Sequence, residues 1–219
     1  NTCSRKAVCI YSCSEPVPKS AMPKTATTLP LTALPATFTY AQARDAGLSK
    51  HTFYCLREIG RIEPLARGLY RKADAEPADL DLLAIAIKAP LATLCLASAL
   101  ARHGLSDAIP AAPDIALPRG KRTPATEAIV QWHHFEPSTF DLGRGELTLD
   151  STTSIGLYDA PRSIIDAFRM RATEGHELGY EALRRWLRTP GSQPGQLIRL
   201  AHQFPKAETT LRTALAALL

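Results

Sequence analysis

The chain has 219 residues, 45% of them apolar and 21% charged, a balance that supports one or two domains with real cores and excludes an intrinsically disordered chain. The net charge of +5 is too small to assign a partner until its location is known. That location is uneven: residues 38–72 hold seven cations (Arg44, Lys50, Arg57, Arg61, Arg67, Arg71, Lys72) against three acids (Asp45, Glu58, Glu63), while residues 73–219 hold more acids than cations. A polyanionic partner would therefore meet the N-terminal end.

In chain order, residues 1–35 read as an extension without ordered structure. Cys3, Cys9 and Cys13 stand at spacings that do not fit a zinc site, and no nearby His completes a set. Residues 1–21 lack the apolar core of a secretory signal, and Met22 would make an ordinary start. Thr39-Tyr-Ala-Gln42 is a reciprocal capping pair that predicts a helix over 40–46. Gly47 can take the positive φ that ends it, and Ser49 can cap a second helix. In that second helix Phe53, Leu56 and Ile59 are expected to face inward, with Lys50, His51, Tyr54 and Arg57 on another face. Gly60 ends the helix, and a hairpin is predicted around the Arg67-Gly68 turn, between Ile62–Leu65 and Leu69-Tyr70. Helix, turn, helix and basic hairpin are the parts of a winged helix-turn-helix domain over residues 36–72.

Residues 73–78 read as a linker, and Asp79 caps a helix to about Ile87. The apolar run Leu80–Ala101 is interrupted by Lys88-Ala89-Pro90, so it fits two buried elements flanking a loop rather than a membrane span. A strand over 92–96, a helix over 98–103 closed by Gly104, and strands at 115–117, 129–132, 146–149 and 153–157 follow. Then come a helix from Pro161 to about Arg171 and three more over 180–188, 194–203 and 206–219. The fold class is α+β, with residues 79–219 forming a second domain that ends in a helical layer. Cys55 and Cys95 sit alone in apolar patterns, which predicts buried thiols and a reducing, cytoplasmic setting.

The ordered parts resemble the AbiE-type antitoxins, the antitoxin half of a type IV toxin–antitoxin pair associated with abortive infection. The resemblance rests on the Ala46-Gly-Leu-Ser49 turn, the Gly60-Arg-Ile-Glu-Pro-Leu-Ala-Arg-Gly-Leu-Tyr70 hairpin, Ser98-Ala-Leu with His103-Gly-Leu-Ser-Asp107, and Tyr158-Asp-Ala-Pro-Arg-Ser-Ile-Ile-Asp166. It covers residues 36–219. It implies a winged-helix domain that represses its own operon at inverted repeats, and a C-terminal domain that counteracts a nucleotidyltransferase-like toxin without requiring a stable complex with it. Monomers, or weak dimers pairing on operator DNA, are the implied state. Two departures are that Pro64 interrupts the first hairpin strand and that the recognition helix carries its own set of side chains, His51 and Tyr54 included.

The DNA-facing residues expected are Ser49, Lys50, His51, Tyr54, Arg57, Arg61, Arg67, Arg71 and Lys72. Lys50 or His51, early in the helix, would reach base edges, whereas Arg57, Arg67 and Lys72 would meet phosphate. Arg162 and Asp166, one helical turn apart, either pair with each other or belong to a partner surface. Ser98 and His103 fall on different faces of one helix with no Gly-x-Ser-x-Gly elbow, and His133 and His134 point to opposite faces of a strand. Neither pair makes a catalytic or metal site, so no enzyme, metal or cofactor is expected. The alternative reading is a stand-alone winged-helix regulator with a ligand-sensing or oligomerising C-terminal domain.

Overall fold

The structure is a computed structural model and describes residues 31–76 and 78–219; the expectations for Cys3, Cys9, Cys13 and the region around Met22 lie outside the described residues. The chain is α+β, with two sheets. Near the N-terminus come β1 (Thr37–Thr39), α1 (Tyr40–Asp45), α2 (Lys50–Glu58), β2 (Ile62–Ala66) and β3 (Leu69–Lys72). They make a three-stranded antiparallel sheet in the order β1-β3-β2, with Phe38 opposite Tyr70 and Ile62 opposite Lys72. The strand β1 is an addition to the sequence reading. Leu31 and Leu34, assigned to a disordered extension, are in fact buried with Phe38, Ala43, Leu48, Phe53, Leu56 and Ile62. Their burial extends this small core past the first helix.

Pro64 does not break β2. It faces Tyr70, and the register slips between Pro64 and Ala66 as a bulge. The strand tolerates Pro because β2 is the edge of its sheet and that backbone nitrogen needs no ladder partner.

The larger sheet runs β6-β5-β4-β8-β7, built from β4 (Thr93–Leu94), β5 (Asp114–Pro118), β6 (Gln131–Phe135), β7 (Arg144–Thr148) and β8 (Ser154–Tyr158). The β4–β8 and β5–β6 pairs are parallel, and the other two are antiparallel. One face carries Leu94, Ile115, Leu117 and Ile155 and is covered by α3 (Leu80–Lys88) through Leu82, Ile85 and Ala86. The other face carries Ala116, Phe135 and Tyr158. Against it lie α4 (Leu96–Arg102), the short α5 (Pro137–Phe140) and α6 (Ala160–Arg169), then α7 (Arg171–Glu174), α8 (His176–Leu187), α9 (Pro194–Ala201) and α10 (Pro205–Leu218). The helical layer has its own core, in which Ile164, Phe168, Leu183, Trp186, Leu197 and Leu211 are buried together.

The expected strand at 129–132 is displaced to Gln131–Phe135. Ile129 is 82% exposed instead. The two histidines masked this strand in the sequence, and the structure gives the inward one its reason: His133 Nε2 lies 3.0 Å from Asp114 Oδ1, and Asp114 also accepts from the Ser98 hydroxyl and amide. A buried histidine so paired is compatible with a core strand.

The two sheets touch where Thr37 Oγ1 donates to Asp150 Oδ2 at 3.3 Å. Of the two readings for Arg162 and Asp166, the structure shows the pair with each other, and full burial of both side chains leaves no room for the partner-surface alternative. Arg162 Nε donates to Asp166 Oδ2 at 2.9 Å, its Nη1 donates to Thr139 O and Leu142 O at 2.6 Å each, and its guanidinium lies 4.3 Å from the Tyr158 ring centre and 4.5 Å from that of Phe204. Asp166 is also reached by Arg169 at 2.9 Å. Burial pushes the Asp166 carboxyl up, against the pull of Arg169 and Arg162. The pair stitches the helical layer to the sheet and offers nothing to a partner.

Candidate nucleic-acid interface

Local rules fix the α1–α2 corner. Thr39 accepts from the Gln42 amide at 3.2 Å, while the Thr39 amide donates to Gln42 Oε1 at 2.7 Å, so two otherwise unpaired helix-end amides are satisfied. Gly47, at φ +90°, donates to Arg44 O, and Leu48 donates to Ala43 O, closing the first helix with the paired bonds of a left-handed glycine cap. Leu48 is thereby buried, and Ser49 starts α2 by accepting from the Thr52 amide at 3.0 Å. The same cap recurs at Gly60, where Arg61 N donates to Leu56 O at 2.8 Å and turns the chain into β2.

Phe53 holds α2 to the sheet. It is fully buried and meets Tyr40 and Tyr70 edge-on, with ring centres 4.9 and 4.8 Å away. Leu56 is buried on the same side, but Ile59 is 69% exposed, contrary to expectation. Two successive three-residue steps fall about 120° behind a straight row on a helix of 3.6 residues per turn, which carries Ile59 off the buried stripe. Cys55 is likewise only half-buried and does not sit in the core; its sulfur lies 3.8 Å from the His51 ring nitrogens. Cys95, on the sheet, is buried as expected.

The outer face of α2 is centred on His51, Tyr54 and Glu58, with Lys50 and Arg57 at its flank. All five are exposed. Tyr54 is anchored at one edge by Phe53, at 5.7 Å between ring centres, and Arg57 lies 5.7 Å above its ring. That contact aligns the guanidinium with the helix surface. Arg61, just past the helix, and Arg67, beside Gly68 at the hairpin tip, are exposed as well. Ser49 is exposed, but its hydroxyl is engaged as the cap and contacts Thr52 Oγ1 at 2.8 Å.

Arg71 and Lys72 differ from the other seven. Both are half-buried: Arg71 donates to Glu76 O, with its Nε buried and unpartnered, and Lys72 donates to Leu34 O. Arg71 lies on the sheet face opposite to Tyr70, the residue that packs against α2, so strand alternation already separates it from the helix surface. Of the Lys and Arg residues expected at DNA, Lys50, Arg57, Arg61 and Arg67 are the ones left exposed. No local sequence signal shows that the backbone carbonyls of Glu76 and Leu34 engage Arg71 and Lys72.

Among the described residues, no group of three or more His, Cys, Asp or Glu side chains is placed to hold a metal ion, and no helix is long and apolar enough to cross a membrane.

A search among curated proteins finds no match. Among solved structures, the chain is similar to the crystal structure of the RV2827C protein of Mycobacterium tuberculosis, at 17% identity and a TM-score of 0.44, over 83% of this chain and 76% of that one. Residues 36–71, which span β1 to nearly the end of β3, match the family described as "Transcriptional regulator, AbiEi antitoxin". The match is a similarity of residues 36–71 to that family and leaves the rest of the chain outside it.

Proposed function

We propose that residues 36–72 form a winged helix-turn-helix domain that binds operator DNA and represses the chain's own operon, and that residues 79–219 form the domain that counteracts a nucleotidyltransferase-like toxin. The observation that supports the DNA reading is the exposure of Lys50, Arg57, Arg61 and Arg67 within the segment that matches the regulator family. In this reading α2 enters the major groove and the hairpin tip lies along the adjacent backbone. Lys50 and His51, in the first turn, reach base edges, while Arg57, Arg61 and Arg67 neutralise phosphates. Arg71 and Lys72 support the hairpin through their backbone contacts and do not touch DNA.

One module of this size covers about 600–1,000 Å² on DNA, which favours two copies on an inverted repeat. Operator selection tests the site directly. Lys50→Ala changes the preferred sequence, because a base contact discriminates by roughly 1–3 kcal/mol, whereas Arg67→Ala weakens all sequences alike. Unchanged preference in Lys50→Ala would remove the base-reading role.

The antitoxin half is tested separately with the full chain. A variant carrying Lys50→Ala, Arg57→Ala and Arg67→Ala should lose repression yet still rescue cells that express a nucleotidyltransferase-like toxin encoded beside this chain. Loss of rescue in this folded variant would show that neutralisation runs through the DNA surface and would refute the division of labour.

A further inference from the structure

Tyr54 is a large ring left 44% exposed on α2. A ring that served only the core would be turned inward, as Phe53 is beside it. Its contacts point to another use. Side chains on a helix lean toward its N-terminus and residues three apart are neighbours, so Arg57 reaches back over the turn that carries Tyr54. The guanidinium carbon lies 5.7 Å from the centre of the Tyr54 ring. The ring is itself steadied by Phe53, which meets it edge-on at 5.7 Å between centres and is in turn held between Tyr40 and Tyr70. A line of contacts therefore runs from the buried core through Tyr54 to an exposed cation.

That cation keeps its donors. Among the described residues, no carboxylate or carbonyl engages the Arg57 guanidinium, and the adjacent Glu58 is not paired with it. Attraction to a ring face uses none of the N–H groups of a guanidinium, whose donors lie in its plane. Arg57 is thus aligned with its whole donor set free, whereas Arg71 and Lys72 direct donors to Glu76 O and Leu34 O. Lys50, Arg61 and Arg67 have no such ring contact among the described residues.

We propose that Tyr54 is a positioning residue for DNA binding: its ring pre-orients the Arg57 guanidinium for a phosphate and does not itself read a base. The role rests on the DNA reading above and deepens it, since it assigns part of the affinity to a coupled pair. The gain is entropic. A free arginine on a helix surface samples many rotamers and loses them when it meets a phosphate, and the ring removes part of that loss before binding.

The test is a double-mutant cycle on the full chain, with the duplex upstream of its own gene as the probe and circular dichroism to follow the fold. Tyr54→Ala is expected to weaken binding about three- to tenfold, the cost of immobilising one rotamer-rich side chain. In an Arg57→Ala background the same change should alter affinity by less than about twofold. Tyr54→Phe keeps the ring and should bind within about twofold of the parent. Equal losses from Tyr54→Ala in both backgrounds would show a ring that touches DNA directly or acts through the stability of α2, and would overturn the proposal. Tyr54→Phe as weak as Tyr54→Ala would also overturn it, by making the hydroxyl the active group. In both cases the parent still binds and the DNA reading stands; a parent that does not bind the duplex would remove the reading and this role together.

Discussion

Replacing Arg162 with Ala probes the join between the sheet and the helical layer. The guanidinium is fully buried, donates to one carboxylate and two backbone carbonyls, and is enclosed by the Tyr158 and Phe204 rings. Its removal leaves Thr139 O and Leu142 O without this donor, leaves Asp166 with Arg169 as its remaining cation, and opens a void between two rings. Removing one member of a buried ion pair costs about 3–5 kcal/mol, which exceeds the roughly 1 kcal/mol of an ordinary hydrogen bond because the stranded groups stay desolvated. For a chain of this length that lowers the melting temperature by about 10 °C. Urea unfolding of parent and variant, extrapolated to water, reads the difference directly. Arg162→Lys keeps the charge but cannot make the fork of bonds to Asp166, Thr139 and Leu142, so it should fall between the two. A loss under about 1 kcal/mol for Arg162→Ala would refute the claim that this network joins the layers.

Three further predictions follow from particular contacts. A Cβ on Gly143, at φ +70°, would come within 2.7 Å of Arg162 Cβ and 2.9 Å of Asp159 Oδ1, so Gly143→Ala should cost about 2–4 kcal/mol in the same unfolding assay. Asp150 is desolvated by burial, yet the amides and hydroxyls of Thr152 and Thr153 outweigh this and hold its carboxyl below the usual value. A depressed carboxylate stabilises the fold above its unfolded pKa and loses that contribution as pH falls through the folded value. Asp150→Asn should therefore be about 1 kcal/mol less stable than the parent near neutrality, and the gap should close below about pH 4. Phe53→Ala removes the ring that packs against Tyr40 and Tyr70, so it should cost about 3–5 kcal/mol and weaken DNA binding by loosening α2; a fully stable variant would show that α2 is held by other contacts.

The legible parts of the fold were those decided within a few residues. Thr39 with Gln42, Gly47 with Ser49, Gly60, and Arg67 with Gly68 each act on their immediate neighbours, and each marks a boundary the structure keeps. The illegible parts were decided at a distance. The strand β1 exists only because Thr37–Thr39 pairs with β3 some thirty residues on, and the position of β6 depends on Asp114 receiving His133. The candidate interface divides the same way. Helical spacing put Lys50, Tyr54 and Arg57 on an accessible face, but it could not foresee that Leu34 O and Glu76 O would engage Lys72 and Arg71. Nor does any local signal reveal the groove beside β6, where Arg119, Arg169 and Lys206 are brought together from three separate segments.

The central claim is that the cations of α2 and the hairpin neutralise DNA phosphates. It is tested most directly by measuring the affinity of the full chain for the duplex upstream of its own gene across a range of salt concentrations, alongside a variant carrying Arg57→Ala and Arg67→Ala. Each phosphate contact contributes about 0.9 to the slope of log affinity against log salt, so the account predicts a variant slope shallower by nearly two and weaker binding at low salt. Parent and variant following the same line would contradict it.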